Sequence, residues 1–309
     1  MRLALVTQHN LQTWEVDDRP LHAALAARGV EVLHVPWDQA GFDWSSVDGA
    51  LLRTTWDYQT DLPRFLAWTR AAAAQTQLFN PPEVVAWNSR KTYLRALGER
   101  GVPIAPSRWW SPGDSADLGP ALRAAGWSRA FLKPVVGASA SDTLRFVVDD
   151  AGVAAAAAHL TAVNAPMIVQ PYLSTVETDG EVSVIVVDGV SSHGVRKIPV
   201  PGDYRVQDDY GAIDVAIDVS DELMALAEAA LAGARDILGL TEPLLYARAD
   251  ALLHDGRLVL NELEIIEPSL FFRHAPRAAD VLADALIARV RHGAAKGWSR
   301  GGTVPAVGG

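Results

Sequence analysis

The spacing of apolar and polar positions gives the chain three regions with different rhythms. In the first, residues 3–7 are a short apolar run, 18–29 carry apolar residues at helical spacing, and 30–35 alternate with period two. Pro20 lies near the first turn of that helix and Gly29 just past its end, and another apolar run follows at 49–54. Strand, helix and strand in this order predict a small parallel α/β domain ending near Asn80-Pro81-Pro82. Ligands of such sheets gather beyond the carboxyl ends of the strands, where Thr7, Gln8, Arg53, Thr54, Trp56, Asp57 and Tyr58 would lie.

The second region opens on a helix predicted over 88–100, stopped at Gly101-Val102-Pro103. Strands at 129–133 and 143–148 flank the small-residue stretch PVVGASASD, and the alanine run 154–158 reads as a surface helix of strong helix formers. An apolar strand at 167–173 changes character at Gln170-Pro171, marking a boundary or hinge. In the third region, 181–189 and 190–198 form a hairpin about Asp188-Gly189. Residues 220–239 make the clearest helix, with Ser220 as cap, Asp221 and Glu222 at its positive end and Gly239 past its last turn. YARADALL, HDG and RLVLNELEII form a second hairpin, and GWSRGGTVPAVGG reads as a loose tail.

The 309 residues, 49% apolar, suffice for a substantial core in two or three domains. No apolar run approaches the roughly 18 residues of a membrane span, and MRLALVTQHN lacks the build of a signal peptide. A cytoplasmic protein with no membrane partner is therefore expected. Net charge −10 argues against a nucleic-acid partner. The absence of cysteine removes disulfides and thiolate chemistry, and the eight histidines form neither HxH nor HExxH. GxSxG, GxGxxG and GxxxxGK[ST] are all missing, so hydrolase, Rossmann and P-loop readings lack their fingerprints.

Glu262, Glu264 and Glu267 sit within NELEIIEPS, flanked by LVL and SLFF. Buried carboxylates need a cationic partner, since two of them about 4 Å apart repel by roughly 4 kcal/mol at an effective dielectric near 20. Either the strand is a solvated edge, or a positive species lives there; the apolar flanks favour the second. A two-residue Asp255-Gly256 loop would set Asp250 opposite Asn261 and send Glu262 and Glu264 to the other face. A three-residue loop from His254, with Gly256 left-handed in a bulge, would set Arg248 opposite Glu262 and Tyr246 opposite Glu264, leaving Asp250 on the same face. Three carboxylates converging with one arginine suit Mg2+, with Mn2+ as substitute, and phosphates.

Cations for such phosphates are few, the lysines standing only at 91, 133, 197 and 296. Lys133 ends a strand before Gly137, Ala138, Ser139, Ala140 and Ser141, whose backbone NH groups can close on phosphate; the alternative is a turn with a snorkelling lysine. Lys91, in NSRKTYL, and Arg196-Lys197 each also read as surface residues.

NSRKTYL, FLKP, the small-residue loop, the hinge and the Asp…Glu-x-Glu hairpin together resemble the ATP-grasp superfamily of carboxylate-amine ligases over about residues 1–292. The resemblance implies an α/β (α+β) fold: an N-terminal α/β domain (1–87) and two α+β subdomains (88–172 and 173–295) clasping ATP, before a flexible tail (296–309). It implies phosphate contacts from Lys91, Lys133, Gly137 and Ser139, adenine contacts from Gln170, Tyr172 and Leu173, and ribose contacts from Glu177. It further implies Mg2+ on Asp250, Glu262 and Glu264, catalytic cations at Arg248 and Lys133, and Arg196 in preference to Lys197 at the substrate carboxylate or acyl phosphate. Many members have E-x-N where this chain has Glu262-Leu263-Glu264, an added negative charge. RTTWDY, LFNPPEVVAWNSRKTYL and NELEIIEPSLFF look most like the O-ureido-serine cyclo-ligase group of cycloserine biosynthesis. Arg53, Trp56, Asp57, Tyr58, Glu267 and Arg273 are the substrate candidates, with Glu267 holding Arg273 or part of the substrate. Ligases that join amino acids, glutathione-synthetase-like or RimK-like, share most of these motifs, and a non-catalytic ATP-binding module is a further alternative. The partner implied is a small amino-acid-like molecule; a homodimer rests on resemblance alone. Residues 202–211 read equally as a lid or a solvated loop.

Overall fold

The computed structural model describes residues 1–295 except 10, 12, 115–117 and 139. Ser139 and the expected tail lie outside the described residues. Strands β1 (Arg2–Thr7), β2 (Glu31–Pro36), β3 (Gly49–Thr54) and β4 (Gln77–Phe79) form a parallel sheet in the order β2-β1-β3-β4. β1 and β3 are buried along almost their whole length, because both sheet faces are covered. Leu3, Leu5 and Leu51 pack against Leu21 and Leu25 of α1 (Arg19–Ala27), while Ala4, Val6 and Leu52 pack against Phe65 of α2 (Leu62–Ala73), a helix not predicted from the sequence.

Of the helix predicted over 88–100 only α4 (Tyr93–Gly98) is continuous helix; a separate helix not predicted, α3 (Pro82–Asn88), ends where it was expected to begin. The break has a physical reason: Asn88 donates to Leu263 O at 2.7 Å and accepts from Ile265 N at 3.1 Å, and the Lys91 amide bonds Val135 O at 2.8 Å. Residues between the helices thus serve neighbouring strands instead of a helical ladder. β5 (Arg108–Trp110), β6 (Arg129–Pro134), β7 (Leu144–Val147) and β8 (Met167–Pro171) form an antiparallel sheet ordered β5-β8-β6-β7. α5 (Leu118–Ala124) and α6 (Asp150–Val163) cover one face with Leu118, Leu122, Ala156 and Leu160.

After α7 (Thr175–Thr178), the third sheet contains β9 (Glu181–Val187), β10 (Val190–Ile198), β11 (Ile213–Ile217), β12 (Tyr246–His254) and β13 (Arg257–Glu264), ordered β11-β10-β9-β12-β13. α8 (Asp221–Leu238) is capped by Ser220, which accepts from Leu223 N at 3.2 Å, and ends at left-handed Gly239. Its Leu223, Leu226, Ala230 and Ala234 pack on Val184, Val186, Ala247 and Ala249. The opposite face contributes Ile185, Val195 and Tyr246 to the core shared with the first domain. α9 (Pro276–Ala295), also not predicted, returns the chain to that core and packs on α1. Among the described residues no helix is long and apolar enough to cross a membrane.

The second hairpin corrects the predicted register. Asp255 and Gly256 are both left-handed, φ 49° and 76°, and His254 pairs with Arg257, so the loop has two residues. The extra residue is Asn261, a bulge in β13 between the Ala251–Leu260 and Asp250–Glu262 pairs. Arg248 therefore faces Glu264 and Asp250 faces Glu262, where the three-residue loop would have paired Arg248 with Glu262. Gly256 is left-handed as expected, but the face-restoring residue lies in the strand, not the turn.

These turns differ in what surrounds them. Gly256 has φ 76° and open space around it, whereas a Cβ on Gly189, φ 80°, would lie 2.6 Å from Pro243 Cβ. Gly256→Ala should cost about 1 kcal/mol for the left-handed backbone. Gly189→Ala should cost about 1–3 kcal/mol beyond that, read as a lower urea midpoint at unchanged m. Equal losses in the two variants would contradict the packing at Pro243.

Candidate active site

A cavity of about 320 Å³ opens between the second and third sheets, with the first domain closing one end. Phe131, Gln170, Tyr172, Leu173 and Leu252 make its apolar end, and Lys91, Lys133 and Gly137 stand on the wall beyond. Trp56, Tyr58, Glu267, Ser269, Phe271 and Arg273 form the end nearest the first domain. Tyr204 to Asp209 also line it, so the 202–211 segment covers the cavity and is not a detached solvated loop. Tyr204 packs edge-on against Phe131 and shares a 2.9 Å hydrogen bond with Thr143.

The floor is a ladder of charges across four adjacent strands. Asp250, 2% exposed, accepts from Arg248 at 2.9 Å and from Ser183 Oγ, and pairs with Lys197 at 3.1 Å. Burial opposes its charge, but Arg248 and Lys197 hold the carboxyl well below the usual range. Lys197 also pairs with Glu181; against burial, Asp250 and Glu181 keep its ammonium above its ordinary value. Lys91 pairs with Glu262 at 2.7 Å and donates to Gly137 O at 2.9 Å. Glu264 bonds Arg248, yet burial, reinforced by Asp250 and Glu262, pushes it up to about 7. Lys133 reaches only neutral oxygens of Asn261, Oδ1 at 3.2 Å and the backbone O at 3.5 Å, and burial lowers its pKa. It is a cation held on the wall by weak contacts, suited to an arriving anion.

Residues 3–80 match the model for the N-terminal domain of D-cycloserine synthetase DcsG. Over 301 residues the chain is 31% identical to the cycloserine biosynthesis protein DcsG of Streptomyces lavendulae, covering 94% of this chain and 99% of that protein. The chain belongs to the DcsG family. The crystal structure of D-cycloserine synthetase DcsG matches with TM-score 0.86 at 29% identity, covering 94% of this chain and 100% of that one. A D-alanine–D-alanine ligase from Bacillus anthracis shares the fold at TM-score 0.69 and 16% identity, covering 96% and 99%; its complex with ATP matches at 0.66. The fold is that of the ATP-grasp ligases.

Of the sequence candidates in this DcsG-family chain, Lys91, Lys133, Gly137, Gln170, Tyr172, Leu173, Arg248, Asp250, Glu262 and Glu264 line one cavity with Trp56, Tyr58, Glu267 and Arg273. Arg196 does not: it is exposed on the other face of β10, and Lys197 is the inward residue. Strand parity decides between them, and an irregularity between Ser191 and His193 sets it. Arg53 is buried behind the wall, bonded to Asp18 at 2.8 Å and Pro268 O at 3.0 Å. Asp57 accepts from Trp37 Nε1 at 2.8 Å and is likewise off the wall. Glu177 also stands outside the lining, bonding Arg145 at 2.9 Å and the Tyr172 hydroxyl. Arg273 pairs with Asp17 at 3.1 Å, Asp208 at 3.2 Å and Asp214, so Glu267 is not its holder. Glu181, Ser183 and Asn261 are not among the site residues expected from the sequence, although Glu181 and Ser183 are the polar positions of one period-two face in an apolar strand.

Among the described residues no three His, Cys, Asp or Glu side chains are grouped closely enough to hold a metal by themselves. Asp250, Glu262 and Glu264 offer hard oxygen donors, and the charge of Glu264 is poorly compensated. Such a set fits Mg2+, an ion that keeps waters and shares phosphate oxygens, better than an ion needing a complete protein cage.

Removing Lys197 leaves two buried carboxylates short of charge, so Lys197→Met should cost about 3–5 kcal/mol of stability by chemical denaturation. Arg196→Ala should stay within about 0.5 kcal/mol. The acids give opposite pH slopes. The depressed pKa of Asp250 adds stability that is present above its unfolded value and lost as acid protonates it. Glu264 titrates near 7 folded and near 4.5 unfolded, so its contribution is lost as pH rises between them. Glu264→Gln should flatten the stability profile between about pH 4.5 and 7; an unchanged profile would refute that assignment.

Proposed function

We propose that this chain is an ATP-dependent ligase that closes O-ureido-D-serine into D-cycloserine through an acyl phosphate. The observation that carries the reading is one cavity joining an apolar end, Lys91 and Lys133 on the wall beyond it and an Arg248–Asp250–Glu262 floor, in a chain matched along 94% of its length by DcsG. Phe131, Gln170, Tyr172, Leu173 and Leu252 hold the adenine. Glu177 acts on it indirectly, by fixing the Tyr172 hydroxyl. Lys91, Lys133 and the backbone at Gly137 take the phosphates. Mg2+, held by Asp250, Glu262 and Glu264, would neutralise phosphate charge.

The substrate carboxylate attacks the terminal phosphorus and ADP departs; catalysis is positioning and charge stabilisation. Arg248, locked by Asp250, Glu264 and Ser269 O at 3.0 Å, is permanently charged and needs no reorganisation as the phosphoryl moves. Lys197, in place of Arg196, is the second fixed cation there. The oxygen-linked nitrogen of the same molecule then closes on the acyl carbon, expelling phosphate and forming the five-membered ring. Water removes the ring's carbamoyl group as ammonia and carbon dioxide. The 202–211 segment shields the acyl phosphate from premature hydrolysis.

Incubation with ATP, Mg2+ and O-ureido-D-serine should release ADP and phosphate, with D-cycloserine identified by mass spectrometry. Asp250→Asn should lower kcat at least about 100-fold, and Lys133→Met should raise the KM for ATP. Release with two separate amino acids, and none with O-ureido-D-serine, would make the chain a peptide-type ligase.

A further inference from the structure

We propose that Glu267, together with Trp56 and Tyr58, forms an ammonium subsite through which the enzyme selects substrates bearing a free α-amino group. This rests on the ligase reading of the same cavity. The interior acids of the cavity each have a cation: Asp17 has Arg273, Glu181 has Lys197, Asp250 has Arg248 and Glu262 has Lys91. Glu264 shares Arg248. Glu267 lines the same cavity but makes no side-chain hydrogen bond or ion pair with any described residue. Asp209 also lacks one, but it stands exposed on the 202–211 segment.

The position of Glu267 is fixed by its backbone. Trp56 Nε1 donates to Glu267 O at 3.1 Å, and Arg53 donates to the next carbonyl, Pro268 O, at 3.0 Å. Two successive carbonyls are thus pinned by the first domain, and the carboxylate is presented from a rigid segment. Tyr58, stacked on Phe65, lines the same cavity, and Glu267 adds to burial in raising the pKa of its hydroxyl. Lys91 and Arg248 act on Glu267 only from a distance, against burial and the charges of Glu264 and Glu262; a carboxyl with aromatic neighbours and no direct ion-pair partner is a receptor for an ammonium group. The other charged parts of the reactants are anionic and belong with the lysines and Arg248. The α-ammonium of the amino acid is the one cation left to place.

Calorimetric titration tests this with the enzyme loaded with ADP and Mg2+, comparing O-ureido-D-serine with its desamino counterpart, in which hydrogen replaces the amine. Wild type should bind the amino ligand at least about tenfold more tightly, the effect of one charge-assisted contact. Glu267→Gln should erase that preference while leaving ADP affinity unchanged, and Glu267→Asp should retain part of it. Equal binding of the two ligands by wild type, or a preference undiminished in Glu267→Gln, overturns the subsite. Turnover of O-ureido-D-serine without an amine preference sinks the subsite alone. Absent turnover, with a preference that Glu267→Gln removes, sinks the cyclisation reading alone.

Discussion

Everything at the floor of the cavity depends on keeping Asp250 charged while it is buried. An isolated carboxylate in that position would take up a proton, because burial alone costs several kcal/mol. Arg248 from its own strand, Lys197 from β10 and Ser183 from β9 prevent this. None of these partners works unless the strands are in register. Lys197 faces Glu181, Ser183 faces Asp250 and Asp250 faces Glu262, so one slip in any strand turns an attraction into an uncompensated charge. The electrostatics therefore specify the sheet as strictly as the apolar face beneath α8 does.

The bulge at Asn261 is the local device that makes this possible. A regular two-residue hairpin would have sent Glu262 and Glu264 away from Asp250; one extra residue turns them back. Asn261 itself bonds Glu181 at 2.6 Å and faces Lys133, so the inserted residue is integrated into the network it creates. The sequence made the need for convergence readable, because three acids in an apolar run demand a cation. It did not reveal how convergence is reached: both loop lengths satisfy the local pattern, and only pairing with β9 and β12 discriminates. The same limit explains Arg196 and Lys197, adjacent residues whose facing is set by an irregularity several positions earlier. What was legible came from local chemistry: Ser220 and Gly239 at the ends of α8, the Asp-Gly turns, and β3 over its full span. Asn88 shows the opposite case, a helical residue recruited by a distant strand.

The first domain closes the site mainly through backbone carbonyls. Arg53 reaches Pro268 O and Trp56 reaches Glu267 O, while Tyr246 of β12 donates back to Leu52 O of β3 at 3.1 Å. Asp17 accepts from Ser269 Oγ and the Phe271 amide, each at 2.7 Å. Phe271 has φ 49°, a conformation that costs a bulky residue roughly 1–2 kcal/mol. The Asp17 bonds offset that strain and hold Arg273 at the cavity wall. Arg53 and Asp17 thus set this end of the cavity without Arg53 lining it.

Glu264 fits this arrangement only because Arg248 is shared. One guanidinium has enough donors to bond Asp250 on two nitrogens and still reach Glu264. The sharing leaves Glu264 under-compensated, with its carboxyl pushed up to about 7, whereas Asp250 is held firmly charged. The two acids therefore differ in what they can do at neutral pH. Asp250 is a fixed negative post that keeps Arg248 and Lys197 in place, and Glu264 is the acid whose charge grows when further positive charge arrives. On the ligase reading, Asp250, Glu262 and Glu264 would hold a divalent ion, whose charge would favour the ionised form of Glu264 and offset the repulsion among the three carboxylates. With ion and phosphates in place the floor would be better compensated than it is by Arg248, Lys91 and Lys197 alone.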